Sequence, residues 1–343
     1  MYKLIAVVIL NWNGVALLRR YLPQVIATTP TDIADVVVAD NGSTDESLAV
    51  LSNEFPQVKV LAFDNNYGFA GGYNRVLKQL NYEYVVLLNS DVAPTEGWLQ
   101  PLLNIMQANE NVAACAPIIM DDKQHDKFEY AGAAGGFIDY LGYPFCRGRI
   151  FDSIETNNGQ YNADIESLWV SGAALMVRRN IYNQLGGLDE SFFAHMEEID
   201  LCWRMRNAGW RIVACSKSMV FHLGGATLSA ANPRKTYLNF RNNLAMLIKN
   251  YNSRNWVFVF IARLLLDGVA GLKFLTSAQA AHCWAIVRAH WAVFARIRTI
   301  IHQRHSLEPM RSRKLPLEIY QHSIVVDYYL HKKHTFSELA QHK

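Results

Sequence analysis

The chain has 343 residues, 51% of them hydrophobic and 18% charged, which excludes a disordered protein and allows one large domain or two smaller ones around a sizeable core. Its net charge of +3 hides a division: residues 236–343 hold 15 Lys/Arg against 5 Asp/Glu, a net of +10 that leaves −7 for residues 1–235, and eight of the eleven histidines also lie in the basic part. An acidic body with a basic, apolar tail points to an anionic surface as partner, while five cysteines, odd in number and without a CxxC pair, exclude a disulfide framework or zinc site and read as reduced thiols of a cytosolic protein.

Four apolar, β-branched runs open the chain: LIAVVIL (4–10), DVVVAD (35–40), VKVLAF (58–63) and YVVLLN (84–89). They are nearly continuous rather than alternating, the pattern of parallel strands covered on both faces. The first turns polar too soon to serve as a signal peptide. Helical patterns lie between the strands, one of them with Ser43 and Thr44 in position to cap DESLAVLSNEF. This gives β-α-β-α units and an open, mostly parallel sheet flanked by helices. Each strand runs into polar residues at its carboxyl end, where open α/β sheets bind ligands: Asn11, Asp40-Asn41, Asp64-Asn65-Asn66 and Asn89-Ser90-Asp91. Residues 121–165 read as loop-rich. LWVSGAALMVRR (168–179) reads as a strand, HMEEIDLCWRMRNAG (195–209) as a helix stopped by Gly209, and WRIVA and SMVFH as two short strands. From about Asn232 the pattern is wholly helical.

Each candidate has a plainer alternative. Asp91 can bind a divalent cation through a hard oxygen, or it is a turn or N-cap residue ahead of Pro94. Asp40 can accept from a base or ribose, or it closes an Asx turn. In DNNYGFAGGYN the glycines permit close backbone approach, and the helix N-terminus that follows favours an anion. Glu197 and Glu198 point in different directions from one helix, so one can face a cleft as general base, while Asp200 and Arg204 are spaced to pair. His222 ends a strand before Gly224-Gly225. Neither GxGxxG after the first strand nor GxxxxGK[ST] is present, which argues against dinucleotide and P-loop sites.

In this order, VVILNWNG, VVADNGSTDES, NNYGFAGGYN, LLNSDV, SGAALMVRR and LDESFFAHMEEIDLCWR resemble the family-2 inverting glycosyltransferases of GT-A fold, especially the rhamnosyltransferase-like branch, over residues 3–250. The resemblance implies a GT-A type α/β domain over residues 1–235, which leaves 236–343, helical in pattern, as a C-terminal extension. It implies a nucleotide-sugar donor held by Asn11, Asp40, Asn41, Ser43, Asn66, Gly68, Phe69, Gly72, Asn74, Asn89 and Ser90. It implies Mg²⁺ or Mn²⁺ at Asp91 and His222, and a general base at Glu198 or its neighbour Glu197. Two positions depart from the family pattern. Asn89 stands where the first Asp of Asp-x-Asp would be, and Glu198 where the base is commonly Asp.

Two long apolar stretches, 256–275 and 278–303, follow. Arg263 and Asp267 inside the first argue against a membrane span, since a central charge costs about 2.5–3.5 kcal/mol there. An interfacial hairpin on anionic lipid is expected, on the inner face of the cell membrane, with a glycan or polyprenyl-diphosphate-linked acceptor. The alternatives are a helical subdomain packed on the core and, for the whole chain, a catalytically weak glycosyltransferase-like module that binds nucleotide sugar or recruits partners. Nucleic acid is not expected as a partner.

Overall fold

The structure is a computed structural model and describes residues 3–130, 132–224, 232–311 and 318–340. The four apolar runs become β1 (Ile5–Asn11), β2 (Ala34–Asp40), β3 (Lys59–Ala62) and β4 (Tyr84–Leu88), parallel and adjacent in the order β3-β2-β1-β4. Helices α1 (Val15–Thr28), α2 (Ser47–Glu54) and α3 (Gly68–Gln79) make the crossovers. Alternate residues of β1 face opposite layers: Ile5, Val7 and Ile9 pack with Leu18 and Leu22 of α1, and Ala6 and Val8 with Tyr73 and Leu77 of α3. The register sets Asn11 opposite Asp40, so the polar strand ends form one row.

The next elements are β5 (Val92–Pro94), α4 (Leu99–Ala108) and β6 (Val112–Asp121). Residues 121–165, expected as loop, contain β7 (Gly136–Asp139), β8 (Pro144–Cys146), β9 (Arg149–Ile150) and β10 (Ser153–Ile154), which build a second, small sheet. Strands of two to four residues are too short to show a period, which is why the sequence hides them.

The chain returns to the main sheet through β11 (Ile165–Glu166) and β12 (Ala174–Arg178), then continues through α5 (Arg179–Gln184), α6 (Glu197–Asn207) and β13 (Arg211–His222). The main sheet reads β11-β13-β6-β12-β4-β1-β2-β3, with β5 against β13. β12 is antiparallel to both neighbours, so the sheet is mixed beyond its parallel half. No crossover helix leads into β12, and a strand reached from the small sheet can enter from the opposite end.

WRIVA and SMVFH are one strand, not two. β13 follows β6 in parallel with an irregularity between Cys215 and Met219. There Ser216 turns out to Asp164, and Ser218 Oγ donates to the Trp98 carbonyl at 2.6 Å.

The C-terminal region comprises α7 (Pro233–Asn250), α8 (Trp256–Thr276), α9 (Ala280–Ala295), α10 (Ile297–Leu307), β14 (Ile319–Tyr320), α11 (Ile324–Tyr329) and α12 (Phe336–Ala340). It is not purely helical, because β14 pairs with β7 and completes the small sheet. Residues 312–317 lie outside the described residues.

A buried ionic knot joins α7 to the body. Lys249 Nζ donates to Asp189 at 2.7 Å and lies 2.9 Å from Asp200. Asp200 also pairs with Arg204 at 2.9 Å, as the four-residue spacing predicts, and accepts from Asn250 Nδ2 at 2.7 Å. Arg204 spends its remaining donors on the Leu185 and Gly187 carbonyls. All five cysteines are free thiols; Cys283 is half-buried, facing Gly271 across the α8–α9 contact, and the other four are buried.

Candidate active site

The ends of β1, β2 and β3 carry polar groups that the fold ties together. Asp40 is fully buried; Asn11 Nδ2 donates to its Oδ2 at 3.0 Å, and the Ser43 N–H to its Oδ1 at 2.9 Å. Ser43 does not cap α2. Its Oγ accepts from the Asn13 N–H at 2.9 Å and the Asn11 amide at 3.3 Å, which clasps the first two strand-end loops. The short helix that follows is instead held by Asp45, whose carboxylate accepts from the Ser47 and Val15 N–H groups. Thr44 likewise turns to Asn13 Oδ1.

Asn41 reaches the third loop. Its amide donates to Asn66 Oδ1 at 3.0 Å and to the Gly68 carbonyl at 3.1 Å, and its own oxygen accepts from the Tyr67 N–H. Asn66 Oδ1 also accepts from the Gly68 N–H. Gly72 has no room for a side chain, since a Cβ there would stand 2.6 Å from Leu10 and 3.3 Å from the Asn41 amide. Asn11 Oδ1, buried in this row, has no hydrogen-bond partner among the described residues.

Two of the expected donor residues point elsewhere. Phe69 packs edge-on against Tyr73, with ring centroids 4.9 Å apart. Asn74 pins the 186–190 loop: its oxygen accepts from Tyr182 Oη at 2.6 Å and the Leu188 N–H, and its amide donates to the Leu188 carbonyl. Asn74 is buried in these contacts, while Phe69 is half-buried.

Asp91 and His222 are brought together from different strands. Asp91 follows β4, His222 ends β13, and the β13–β5 pairing sets the two side chains against each other. His222 Nε2 lies 3.1 Å from Asp91 Oδ1 and 3.4 Å from Asn89 Nδ2. Its Nδ1 lies 3.6 Å from Glu129, a carboxylate in the segment expected to be loop. Burial alone would lower the His222 pKa, but the Asp91 and Glu129 carboxylates outweigh it and push the ring up to about 10.

Two donors 3.1 Å apart, one carboxylate oxygen and one imidazole nitrogen, can share a divalent ion, with Glu129 behind the ring in the place of an orienting carboxylate. Among the described residues no group of three or more His, Cys, Asp or Glu could hold a metal. The donor set therefore fits an ion that takes its other ligands from water and phosphate, as Mg²⁺ and Mn²⁺ do.

The second half of the site is α6. Its entry is strained: Phe193, His195 and Met196 have φ of 67°, 69° and 72°. Such residues cost of order 1–3 kcal/mol each and persist only when their surroundings hold them. Asn242 of α7 supplies that hold, its Nδ2 lying 3.0, 2.9 and 2.8 Å from the carbonyls of Phe192, Ala194 and His195. Arg241 adds bonds to the Ser191 and Phe192 carbonyls. Sequence reasoning missed this residue, although a pair of asparagines inside a helix, Asn242-Asn243, is poor helix chemistry and a usable signal.

The strained turn launches Glu197 and Glu198. Glu197 is buried and Glu198 half-buried, and one oxygen of each is buried without a hydrogen-bond partner. Burial raises both carboxyls, and for Glu197 the neighbouring Glu198 adds to the rise. Glu198 borders the turn into β12, where a Cβ on Gly172 would touch its Cβ at 3.3 Å. The same turn meets the metal-side strand, because the Asn89 N–H donates to the Ala173 carbonyl at 2.9 Å. Glu198 and the Asp91–His222 pair thus flank one hydrogen-bonded link. Phe193, half exposed, borders Gly68 at the mouth.

A mixed α/β sheet flanked by helices, with polar side chains gathered at the carboxyl ends of its parallel strands, is the architecture of a glycosyltransferase of GT-A fold. The family model described as Glycosyl transferase family 2 matches residues 6–185, and the chain belongs to that family, in its rhamnosyltransferase-like branch. It is 28% identical over 240 residues to the N-acetylglucosaminyl-diphospho-decaprenol L-rhamnosyltransferase of Mycobacterium tuberculosis, covering 65% of this chain and 76% of that one. It is 27% identical to the O-antigen biosynthesis protein RfbC of Myxococcus xanthus, over 64% of this chain and 17% of that one.

Among solved structures, GalNAc-T7 with UDP, GalNAc and Mn²⁺ superposes with a TM-score of 0.57 at 17% identity, over 72% of this chain and 48% of that one. The mannosyltransferase PcManGT of Pyrobaculum calidifontis, with GDP-Man and Mn²⁺, gives 0.53 at 16% identity, over 90% and 86%. These likenesses show the fold.

Proposed function

We propose that the chain is an inverting, metal-dependent glycosyltransferase that moves a sugar from a nucleotide donor to a hydroxyl of a glycan or polyprenyl-diphosphate-linked acceptor in surface-polysaccharide assembly. The observation that carries the reading is the link just described: Asp91 and His222 on one side of the Asn89–Ala173 hydrogen bond, Glu198 on the other. The L-rhamnosyltransferase name of the mycobacterial relative favours dTDP-rhamnose as donor and a lipid-linked diphosphate sugar as acceptor. The work is placed at the cytoplasmic face of an anionic membrane.

The row around Asn11, Asp40, Asn41 and Asn66 holds the nucleotide, with Asn11 Oδ1 left to accept from it. Mg²⁺ or Mn²⁺ at Asp91 and His222 would neutralise the charge of the diphosphate leaving group. Glu198, raised by burial, takes the proton of the acceptor hydroxyl as that oxygen attacks the anomeric carbon from the face opposite the diphosphate. One displacement inverts the centre. Glu197 lies deeper and in this proposal tunes its neighbour.

The test is release of nucleotide from a panel of sugar nucleotides with Mg²⁺ or Mn²⁺ and a membrane lipid extract. Wild type should turn over one donor, and Asp91→Ala and Glu198→Gln should each lose about 10²–10⁴-fold. The anomeric configuration of the product, read by NMR, should be opposite to that of the donor. Unimpaired Glu198→Gln alongside a dead Glu197→Gln would move the base to Glu197. Thermal stabilisation by a nucleotide with no turnover on any acceptor would replace the enzyme with a module that only binds nucleotide sugar.

A further inference from the structure

We infer that the outer side of the α8–α9 hairpin is a docking surface for an anionic lipid bilayer, on which the chain lies without crossing. On α8, Phe258, Ile261, Leu265, Val269 and Leu272 recur every three or four residues and all are exposed, Phe258 by 74% and Leu265 by 70%. On α9, Trp284 and Trp291 do the same, at 62% and 72%. Scattered surface hydrophobics are ordinary, but two stripes on helices packed against each other form a patch of the kind that a partner covers.

Arg263 and Asp267 of α8 are on its other side. Arg263 donates to the Leu141 carbonyl at 3.0 Å and lies over the Tyr143 ring, and the buried Asp267 meets His290 of α9 at 3.2 Å. The helix is inverted relative to a water-soluble one, with charge toward the protein and apolar side chains toward solvent.

Charge decides between lipid and a second copy of the chain. Between Trp256 and Leu307 the one acidic residue is the buried Asp267, whereas Lys273, Arg288 and Arg298 are exposed. Two such faces meeting would bring like charges together; anionic headgroups complement them. Indole side chains suit the headgroup level. No described helix is long and apolar enough to cross a membrane, and the Arg263 contacts hold α8 to the small sheet, so docking is interfacial.

The orientation follows from α7. The α8–α9 turn leads to His282, whose Nδ1 is 2.7 Å from Thr236 Oγ1 in the first turn of α7. Beside it Arg234 lies over the Phe193 ring, and Phe193 borders Gly68 at the site mouth. The tip of the hairpin and the mouth share one end of the molecule, so docking brings the cleft to the level at which a lipid-linked acceptor presents its sugar. That benefit rests on the transfer proposed above; the docking itself does not.

The experiment is sedimentation of the full chain with vesicles of phosphatidylcholine alone or with one quarter phosphatidylglycerol. Wild type should bind the anionic vesicles and release in high salt, and Leu265→Glu/Trp291→Glu should weaken the partition by about tenfold or more with an unchanged thermal midpoint. Lys273→Glu/Arg288→Glu should lose the anionic preference. Wild type that stays in the supernatant overturns the inference, as does a concentration-dependent dimer in light scattering that Leu265→Glu/Trp291→Glu abolishes without changing vesicle binding. Vesicle binding with no transfer to any acceptor would keep the docking surface and sink the transfer reading. Transfer in detergent without vesicle binding would do the reverse.

Discussion

The strand-end body and the C-terminal hairpin solve opposite problems with the same kinds of residue. In the body, Ile5 to Ile9 and Tyr84 to Leu88 are sealed between helices, and polar side chains emerge together at the carboxyl ends. In the hairpin, Arg263, Asp267 and His290 are turned inward and the leucines and tryptophans outward. The body is complete in water. The hairpin has one side finished by the body and one side left for something else. Packing on the core and docking on lipid, which compete when the sequence is read alone, are the two sides of a single helix.

The comparison is broken most severely at the seam. Lys249→Met should cost about 3–5 kcal/mol in a urea titration, because it leaves Asp189 and Asp200 buried without their shared cation. Burial would raise Asp189, yet the Lys249 charge and hydrogen bond hold it far below the usual carboxylate range. Its folded pKa lies below the unfolded one, so this stability is present above the unfolded value of about 3.9 and is lost as pH falls below it. The variant should therefore lose that part of the acid dependence.

A smaller effect is expected at the turn that α7 holds. Asn242→Ala improves helix propensity but removes the donor for the three carbonyls before α6. We expect about 1–3 kcal/mol less stability and a lower kcat, with the donor KM little changed, in steady-state kinetics. A variant with wild-type kcat would show that the strained turn holds itself.

The smallest effect sharpens the contrast. Leu265→Glu on the outer side of α8 should change stability in solution by no more than about 0.5 kcal/mol. Leu87→Glu in β4, where the side chain is sealed, should prevent folding; calorimetry of the first and soluble yield of the second check the pair.

Continuous apolar runs made β1 to β4 legible, and the polar residues behind them announced the row of strand ends, because a buried parallel strand has few ways to be written. Asp91, His222 and Glu198 were legible as types, but the meeting of Asp91 and His222 depends on β13 running past its irregularity to pair with β5, a long-range fact with no local mark. Glu129 stayed hidden in a segment whose strands are too short to show a period. Asn74 and Phe69 sit in a glycine-rich stretch that reads as ligand-binding throughout. The fold uses Gly68 for a positive φ and Gly72 for close approach, and turns Asn74 inward as a support. Inward and outward charge on α8 could not be assigned before the packing partner of the helix was known.

The thiols carry one further consequence. Burial pushes Cys202 up to about 12 and Cys215 to about 11, and raises Cys115 and Cys146 as well, so at neutral pH these four are protonated and shielded from alkylating reagents. Cys283, half-buried in the α8–α9 contact, is the most accessible of the five thiols. A single fluorophore can thus be attached to the hairpin of the native chain, without removing any cysteine, and its emission would register whatever comes to cover Trp284 beside it.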